Sequence, residues 1–439
     1  MFKRNFILTL VLCATSAAFA FDIARDGKAV AVIATGAKPS ASTLGAAEEL
    51  AKYLGKMCGG TFEILQEAPP EGRPCIYVGG PCEDVGFDGL CLRVEKDKNR
   101  LLLTGHQPRG PVYAVYELLE RLGCGFWADD NETVPEMKDI SVADDLNFTD
   151  RPVLRLRGNS GTTAVYNPGW CPKARLNGNG GTPARLGGSY FVDFSESSVG
   201  LNGYNELAKE CFALHPEWYS LVRNKNTGKM ERTPEQLCFT NPEVLEKLVE
   251  LARARLEKNP DLEFIGCSYA DVAPPCSCPQ CSALAGREGS KAAILLNGVN
   301  YIARDLADDY PNVTVTFLAY GMSSIIPPKN LKLEPNVACV FANLARNYAK
   351  PPPREGLLKR WCELTNGKVF IWGYGAMFHN YIMPTPTVDL IAEEMRVYRD
   401  LGCLGISSQL SQDQLSDCID LLCWLFGKMA WNPDYDEWA

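Results

Sequence analysis

The chain has 439 residues, 46% hydrophobic and 22% charged, with 53 acidic side chains against 44 Lys and Arg for a net charge of −9. That is the composition of an ordinary globular protein with core enough for two or three domains, and it includes no long polar or low-complexity tract. The acidic balance argues against nucleic acid or an anionic membrane as partner.

Residues 1–20 read as a secretory signal. Lys3 and Arg4 form a basic start, Phe6 to Ala14 an apolar stretch, and Ala18-Phe19-Ala20 a small-x-small cleavage site. The apolar stretch is too short to span a bilayer and no later run is long enough. An exported protein, periplasmic or extracellular and not inserted in a membrane, is therefore expected. Cleavage leaves 42 basic against 53 acidic residues, or −11, and 17 of the 18 cysteines. Seventeen is odd, so disulfides leave at least one thiol free, metal-bound or paired to another chain. Many cysteines, such as Cys267, Cys339, Cys403 and Cys423, sit in apolar runs and read as small core residues.

Residues 21–150 read as a small α/β sandwich. Short apolar or β-branched runs at Ala29 to Thr35, Cys75 to Val78, Cys91 to Val94 and Leu101 to Thr104 predict strands. Helical spacing predicts helices from about Ser42 to Met57, stopped by Gly59-Gly60, and after Pro111, with Val112, Val115, Tyr116, Leu119 and Leu122 on one face. His106 and Arg109, between strand and helix, read as turn and packing residues because no acid–base partner is adjacent.

Residues 151–439 alternate strand-like and helix-like segments. Strands are expected at Leu154 to Arg157, Tyr190 to Phe194, Trp218 to Arg223, Leu237 to Phe239, Glu263 to Cys267, Val313 to Ala319, Val337 to Ala342, Val369 to Trp372 and Leu404 to Ser407. Helices are expected at Pro242 to Glu257, Lys291 to Asp308 and about 355–365, 386–401 and 411–430. That alternation predicts a (β/α)8 TIM-type barrel. A doubly wound sheet is the alternative, without a Gly-rich phosphate loop to support it.

In a barrel, active residues gather where strands end. The clearest end is the stretch 263–281, EFIGCSYADVAPPCSCPQC, in which a buried strand delivers Ser268, Tyr269 and Asp271 before a rigid Pro274-Pro275 break. Other ends bring Tyr320, Asn343, Trp372, Tyr374 and Gln409, with His379 and Asn380 just beyond the Trp372 strand. Aromatic faces beside amides and hydroxyls suit a carbohydrate ligand. A Trp/Tyr cluster also reads as core.

Two resemblances give this more content. GHQPRGPVYAVYELLERLGCGFWADDNETVP (Gly105 to Pro135) resembles the accessory domain that precedes the barrel in α-glucuronidases and β-hexosaminidases. HPEWYSL (His215 to Leu221), QLCFTNPEV (Gln236 to Val244), the CSCPQC loop, FLAY…PP (Phe317 to Pro328) and IWGYGAMFHNYIMPTP (Ile371 to Pro386) stand in order. Together they resemble the family of domain of unknown function 4838, which overlaps glycoside hydrolase family 163. The resemblance implies an endo-β-N-acetylglucosaminidase-like hydrolase of amino-sugar-containing glycans. It also shows departures: an Asn-Asp pair is common where Ala270-Asp271 stands, Asp where Gly373 stands, Glu where Ser408 precedes Gln409, and His where Ser189 precedes Tyr190-Phe191. Those changes make a carbohydrate-binding relative that has lost its acids the alternative.

Glycosidases place two groups about the bond, or one carboxylate where a substrate N-acetyl carbonyl is the nucleophile. Asp271 is the first catalytic candidate and a turn-capping Asp the other reading of it. Glu217 is the second, against a surface turn residue. Asp413 follows the last strand but also suits a helix first turn, and Glu393-Glu394 read as solvated. His379 suits a sugar hydroxyl or a structural role, and His215 the fixing of the HPEW turn. No organic cofactor is expected. Cys276, Cys278 and Cys281 have the compactness of a metal knuckle but leave a tetrahedral zinc one ligand short, to be completed by Cys267, Cys238 or a His. A disulfide with one spare thiol is the preferred reading there, and a catalytic cysteine the remotest.

Overall fold

The computed structural model describes residues 20–81, 83–193, 206–271, 273–343, 355–376, 380, 382–383, 388–411 and 418–434. The chain divides into two compact units, one of residues up to Gly125 with Thr133–Arg151 and Arg185–Gly187, the other of Phe126–Glu132, Pro152–Ala184 and Gly188 onward.

In the first unit, Ser40 caps the helix Ala41–Cys58 by accepting from the Thr43 amide, and Gly59 ends it in the left-handed region at φ 80°. This helix packs beside a second, Gly110–Arg121. The main sheet has six strands in the order Asn147–Asp150, Leu90–Glu95, Arg100–Gly105, Cys75–Val78, Val32–Ala34, Ile64–Leu65. The first two pairings are antiparallel and the last three parallel. A three-stranded antiparallel sheet joins Ile140–Ala143, Ala20–Arg25 and Lys28–Ala29.

The GHQPRG turn has a steric explanation. A Cβ on Gly105 would stand 2.2 Å from the Gly89 carbonyl oxygen, and one on Gly110 2.5 Å from the same oxygen, so backbone approaches backbone there. Arg109 is buried and donates from Nε to Asp88 Oδ1 at 2.8 Å, while the His106 ring lies 5.6 Å from that of Phe87.

The second unit is built on six parallel strands in the order Leu156–Asn159, Gly405–Gln409, Val369–Tyr374, Val337–Ala342, Thr314–Ala319, Phe264–Gly266. The first strand in sequence thus pairs with the last, as in a barrel. Helices Pro242–Lys258, Ala292–Leu306, Glu355–Leu364, Val388–Asp400 and Ile419–Trp431 alternate with or follow the strands. The sheet is curled. Phe264 and Phe370 are three strand spacings apart, about 14 Å in a flat sheet, yet their rings meet edge-to-face at 5.6 Å.

Among the described residues the sheet is a half-barrel of six strands, and the expectation of eight is corrected at two places. Tyr219–Arg223 and Met230–Leu237 do not join the parallel sheet but pair with each other as an antiparallel hairpin. The cause is local: Asn224 Oδ1 accepts from the Asn226 and Thr227 amides, and Gly228 supplies a φ of 70°, which reverses the chain. At Tyr190–Asp193 there is no ladder. Side chains cover the sheet edges instead. Asn177 and Asn179 accept from the Arg157 and Asn159 amides, and Asp193 accepts from the Gly266 amide at 3.1 Å. The Asn and Asp side chains stand in for the missing backbone partners of an edge strand.

No helix among the described residues is long and apolar enough to cross a membrane.

Candidate functional site at the carboxyl ends of the sheet

Side chains on a strand alternate between faces, which divides the candidates into two groups. On the Val369–Tyr374 strand, Val369 and Ile371 belong to the core that includes the helices, so Phe370, Trp372 and Tyr374 face the concave side. Ile406 does the same for its strand and leaves Ser407 and Gln409 on the concave face. Phe317 and Ala319 place Tyr320, still extended at φ −139°, on that face too.

Along the concave face the burial changes. At the amino end Leu156, Phe264 and Phe370 are buried, with the Tyr190 ring edge-on to Phe264 at 6.2 Å. Toward the carboxyl end Tyr320, Trp372, Tyr374, Ser407 and Gln409 are half-exposed. The Trp372 indole N–H donates to Gln409 Oε1 at 3.3 Å, which fixes an aromatic face beside an amide. Tyr320, Trp372, Tyr374 and Gln409 thus lie on one face of the sheet at its carboxyl end.

The same alternation removes two candidates. Tyr269 follows Ile265 and Cys267 onto the helix side, where it is buried, donates its hydroxyl to the Lys291 carbonyl at 3.0 Å and packs against Phe239. Burial holds its phenol well above the usual range. Asn343 follows Phe341 onto that side and donates from Nδ2 to the Tyr398 hydroxyl at 2.9 Å. Both are core groups rather than cavity groups.

Asp271 is exposed and lies just past the Phe264–Gly266 strand. A second exposed carboxylate, Asp420, lies in the first turn of the helix after the last strand and accepts from the Thr163 hydroxyl beyond the first strand. Before Asp271, the Ala270 amide donates to Gln236 Oε1 at 3.4 Å. Gln236 is fully buried and its Nε2 has no hydrogen-bond partner among the described residues. It escaped the candidate residues because nothing in QLCFTNPEV marks a strand residue of a hairpin as reaching this loop. Gly373, on the helix-facing side, has Ser408 Oγ 3.0 Å from where its Cβ would be, so an acidic side chain there would need Ser408 to move.

Glu217 stands elsewhere. Pro216 starts a short 3-10 turn, Pro216–Trp218, before the hairpin, and Glu217 is exposed on it, 3.2 Å from His215 Nδ1. Its own backbone amide and His215 hold the carboxyl below the usual range. His215 stacks on Trp218 at 4.2 Å, and Trp218 donates to Glu243 at 2.7 Å. Glu217 therefore belongs to a surface turn network. Asn380 is exposed, and its Oδ1 accepts from the Ile382 amide in a turn. His379 and Asp413 lie outside the described residues, and Glu393 is exposed on its helix.

The CSCPQC loop does not stand alone. Cys238, the residue after the hairpin, joins Cys276, Cys278 and Cys281, all four buried, while Cys267 remains in the core with its thiol pushed up to about 12 by burial. Hydrogen bonds from Cys276 and Cys281 lower the Cys238 thiol, and their counterpart raises Cys276 to about 11. Cavities of about 350 Å³ in the first unit, one lined by Asp22, Arg25, Asp26 and Asp139, are polar surface clefts.

Solved glycoside hydrolases share this fold. A family GH115 4-O-methyl-α-glucuronidase with specificity for decorated arabinogalactans is similar over 94% of this chain and 57% of its own, at a TM-score of 0.61 and 15% identity. A family 89 glycoside hydrolase from Clostridium perfringens, solved with GlcNAc-α-1,4-galactose, is similar over 90% of this chain and 49% of its own, at a TM-score of 0.50 and 10% identity. The chain thus spans only about half the length of these relatives, and the likeness is one of fold. No curated protein matches the sequence. Residues 126–439 match DUF4838, a domain of unknown function, and the chain belongs to that family.

Proposed function

We propose that the protein is an exported glycoside hydrolase acting on amino-sugar-containing glycans at the carboxyl ends of its parallel sheet. The observation that carries this is the change along the concave face, from a buried aromatic floor to the half-exposed Trp372–Gln409 pair, with Tyr320, Tyr374 and Ser407 on the same face. A sugar offers an apolar ring face to an indole and hydroxyls to amides.

With Asp271 exposed just past the Phe264–Gly266 strand, a substrate-assisted course is favoured. Asp271 would accept the acetamido N–H and orient that group. The acetamido carbonyl oxygen then bonds to the anomeric carbon as the glycosidic C–O bond breaks. The leaving oxygen takes a proton, for which His379 is the remaining sequence candidate, and water later reopens the ring formed. Gln236, buried behind Ala270 with an unpartnered amide nitrogen, would hold this loop.

Gly373 and Ser408, neither of them acidic, favour a second reading, recognition of glycan without cleavage. One experiment separates them: protein lacking residues 1–20, with and without Asp271→Asn, is incubated with complex N-glycans and aryl N-acetylhexosaminides. Release of sugar that falls by about 10²-fold or more in the variant is the expected result. Release untouched by the substitution removes Asp271 from the mechanism. Saturable binding with no release by either protein establishes the second reading.

A further inference from the structure

We propose that Cys238, Cys276, Cys278 and Cys281 form a closed structural zinc site that fastens the Asp271 loop to the hairpin. The four sulfurs all lie within 4.8 Å of one another, Cys238 being 3.7 Å from Cys278 and 3.8 Å from Cys281. Four thiolates at a Zn–S distance of ~2.3 Å form a tetrahedron with edges of about 3.8 Å. Cys238 already stands at that spacing from Cys278 and Cys281, the remaining sulfurs lie within 4.8 Å, and all four side chains are buried, which suits a site with no open position.

The surroundings are those of thiolates. The Leu221 amide points at Cys276 Sγ at 3.4 Å, the Cys278 amide at the same sulfur at 3.5 Å, and the Cys281 amide at Cys278 Sγ at 3.5 Å. The Thr240 hydroxyl lies 3.1 Å from Cys281 Sγ. Cys278 is the N-cap of the ten-residue helix Pro279–Glu288, so the positive end of that helix faces the cluster. A dication with four thiolates carries a net charge of −2, and these donors offset it. Binding releases the thiol protons to solvent and involves no redox step. Four sulfurs in a tetrahedron suit a soft-ligand metal, and zinc is the one that requires no redox partner.

The placement gives the site its role. Cys238 ends the hairpin, and the other three follow Asp271 by a few residues. Besides these contacts to sulfur, the Ser277 amide donates to the Leu221 carbonyl at 2.8 Å and the Ala270 amide to Gln236, between the same two segments. The metal would hold the loop's position, and with it the direction in which Asp271 is presented. This does not depend on what Asp271 does.

The test uses the whole exported chain, purified without chelator. Elemental analysis should find about one zinc per chain, and a mercurial that releases the metal should do so in step with thiol modification. Replacement by Co²⁺ should give the intense thiolate-to-cobalt charge-transfer bands and the visible bands of a tetrahedral site. Cys238→Ser with Cys278→Ser should abolish both. Cys339→Ser, a buried cysteine outside the cluster, should leave both intact. Because the Co²⁺ spectrum is read on the unsubstituted protein, misfolding of a variant does not blunt the test. Protein that carries no zinc and takes up no Co²⁺, with these four cysteines found as titratable thiols or as disulfides, overturns the proposal.

Discussion

The two ends of the concave face of the parallel sheet share strands and alternation, yet differ in what they present. The amino end buries Leu156, Phe264 and Phe370, the two phenyl rings meeting edge-to-face. The carboxyl end places Tyr320, Trp372, Tyr374, Ser407 and Gln409 on the same face, half-exposed. A parallel sheet has all its carboxyl ends on one side, so one end can be closed by packing while loops diversify the other. Burial and exposure are thereby separated along a single strand, as Phe370 and Trp372 illustrate two residues apart.

The sharpest break of this contrast is Phe370→Ala. It should cost ~3–5 kcal/mol of stability through the cavity left under the sheet, read as a lower urea midpoint. Glycan affinity of the fraction that remains folded should be unchanged. A large loss of affinity with normal stability would mean the floor belongs to the site.

Trp372→Ala comes next. It should weaken glycan binding by about 2 kcal/mol, roughly thirtyfold, measured calorimetrically, and lower stability by less than the Phe370 change. Equal damage to stability would place Trp372 in the floor.

Asn343→Ala is the smallest and tests the alternation itself. It removes the bond to Tyr398 and should lower stability by ~1 kcal/mol, with glycan binding intact. Weaker binding at normal stability would return Asn343 to the cavity.

Much of this was legible in the sequence because it rests on local chemistry. The helix Ala41–Cys58 shows its helical spacing and its terminating glycine, and the strand Val337–Ala342 shows as an apolar run bounded by polar residues. Family membership shows in the order of several short motifs spread over the chain. Other features were hidden for specific reasons. The hairpin reads as two barrel strands, since apolar content marks a strand without marking its partner. Tyr269 and Asn343 look like site residues because both lie at strand ends, and only the register parity, fixed once Cys267 and Phe341 are seen in the core, turns them toward the helices.

The sequence by itself determined the elements, their order and the three-cysteine loop, since helix caps, apolar runs and close-set thiols are written within a few residues of one another. Tertiary structure alone decided which face each strand-end side chain takes and that Cys238, 38 residues before Cys276, completes the thiol cluster. Contacts between residues so far apart depend on how the sheet curls and the loops return, and a linear pattern carries no record of that distance.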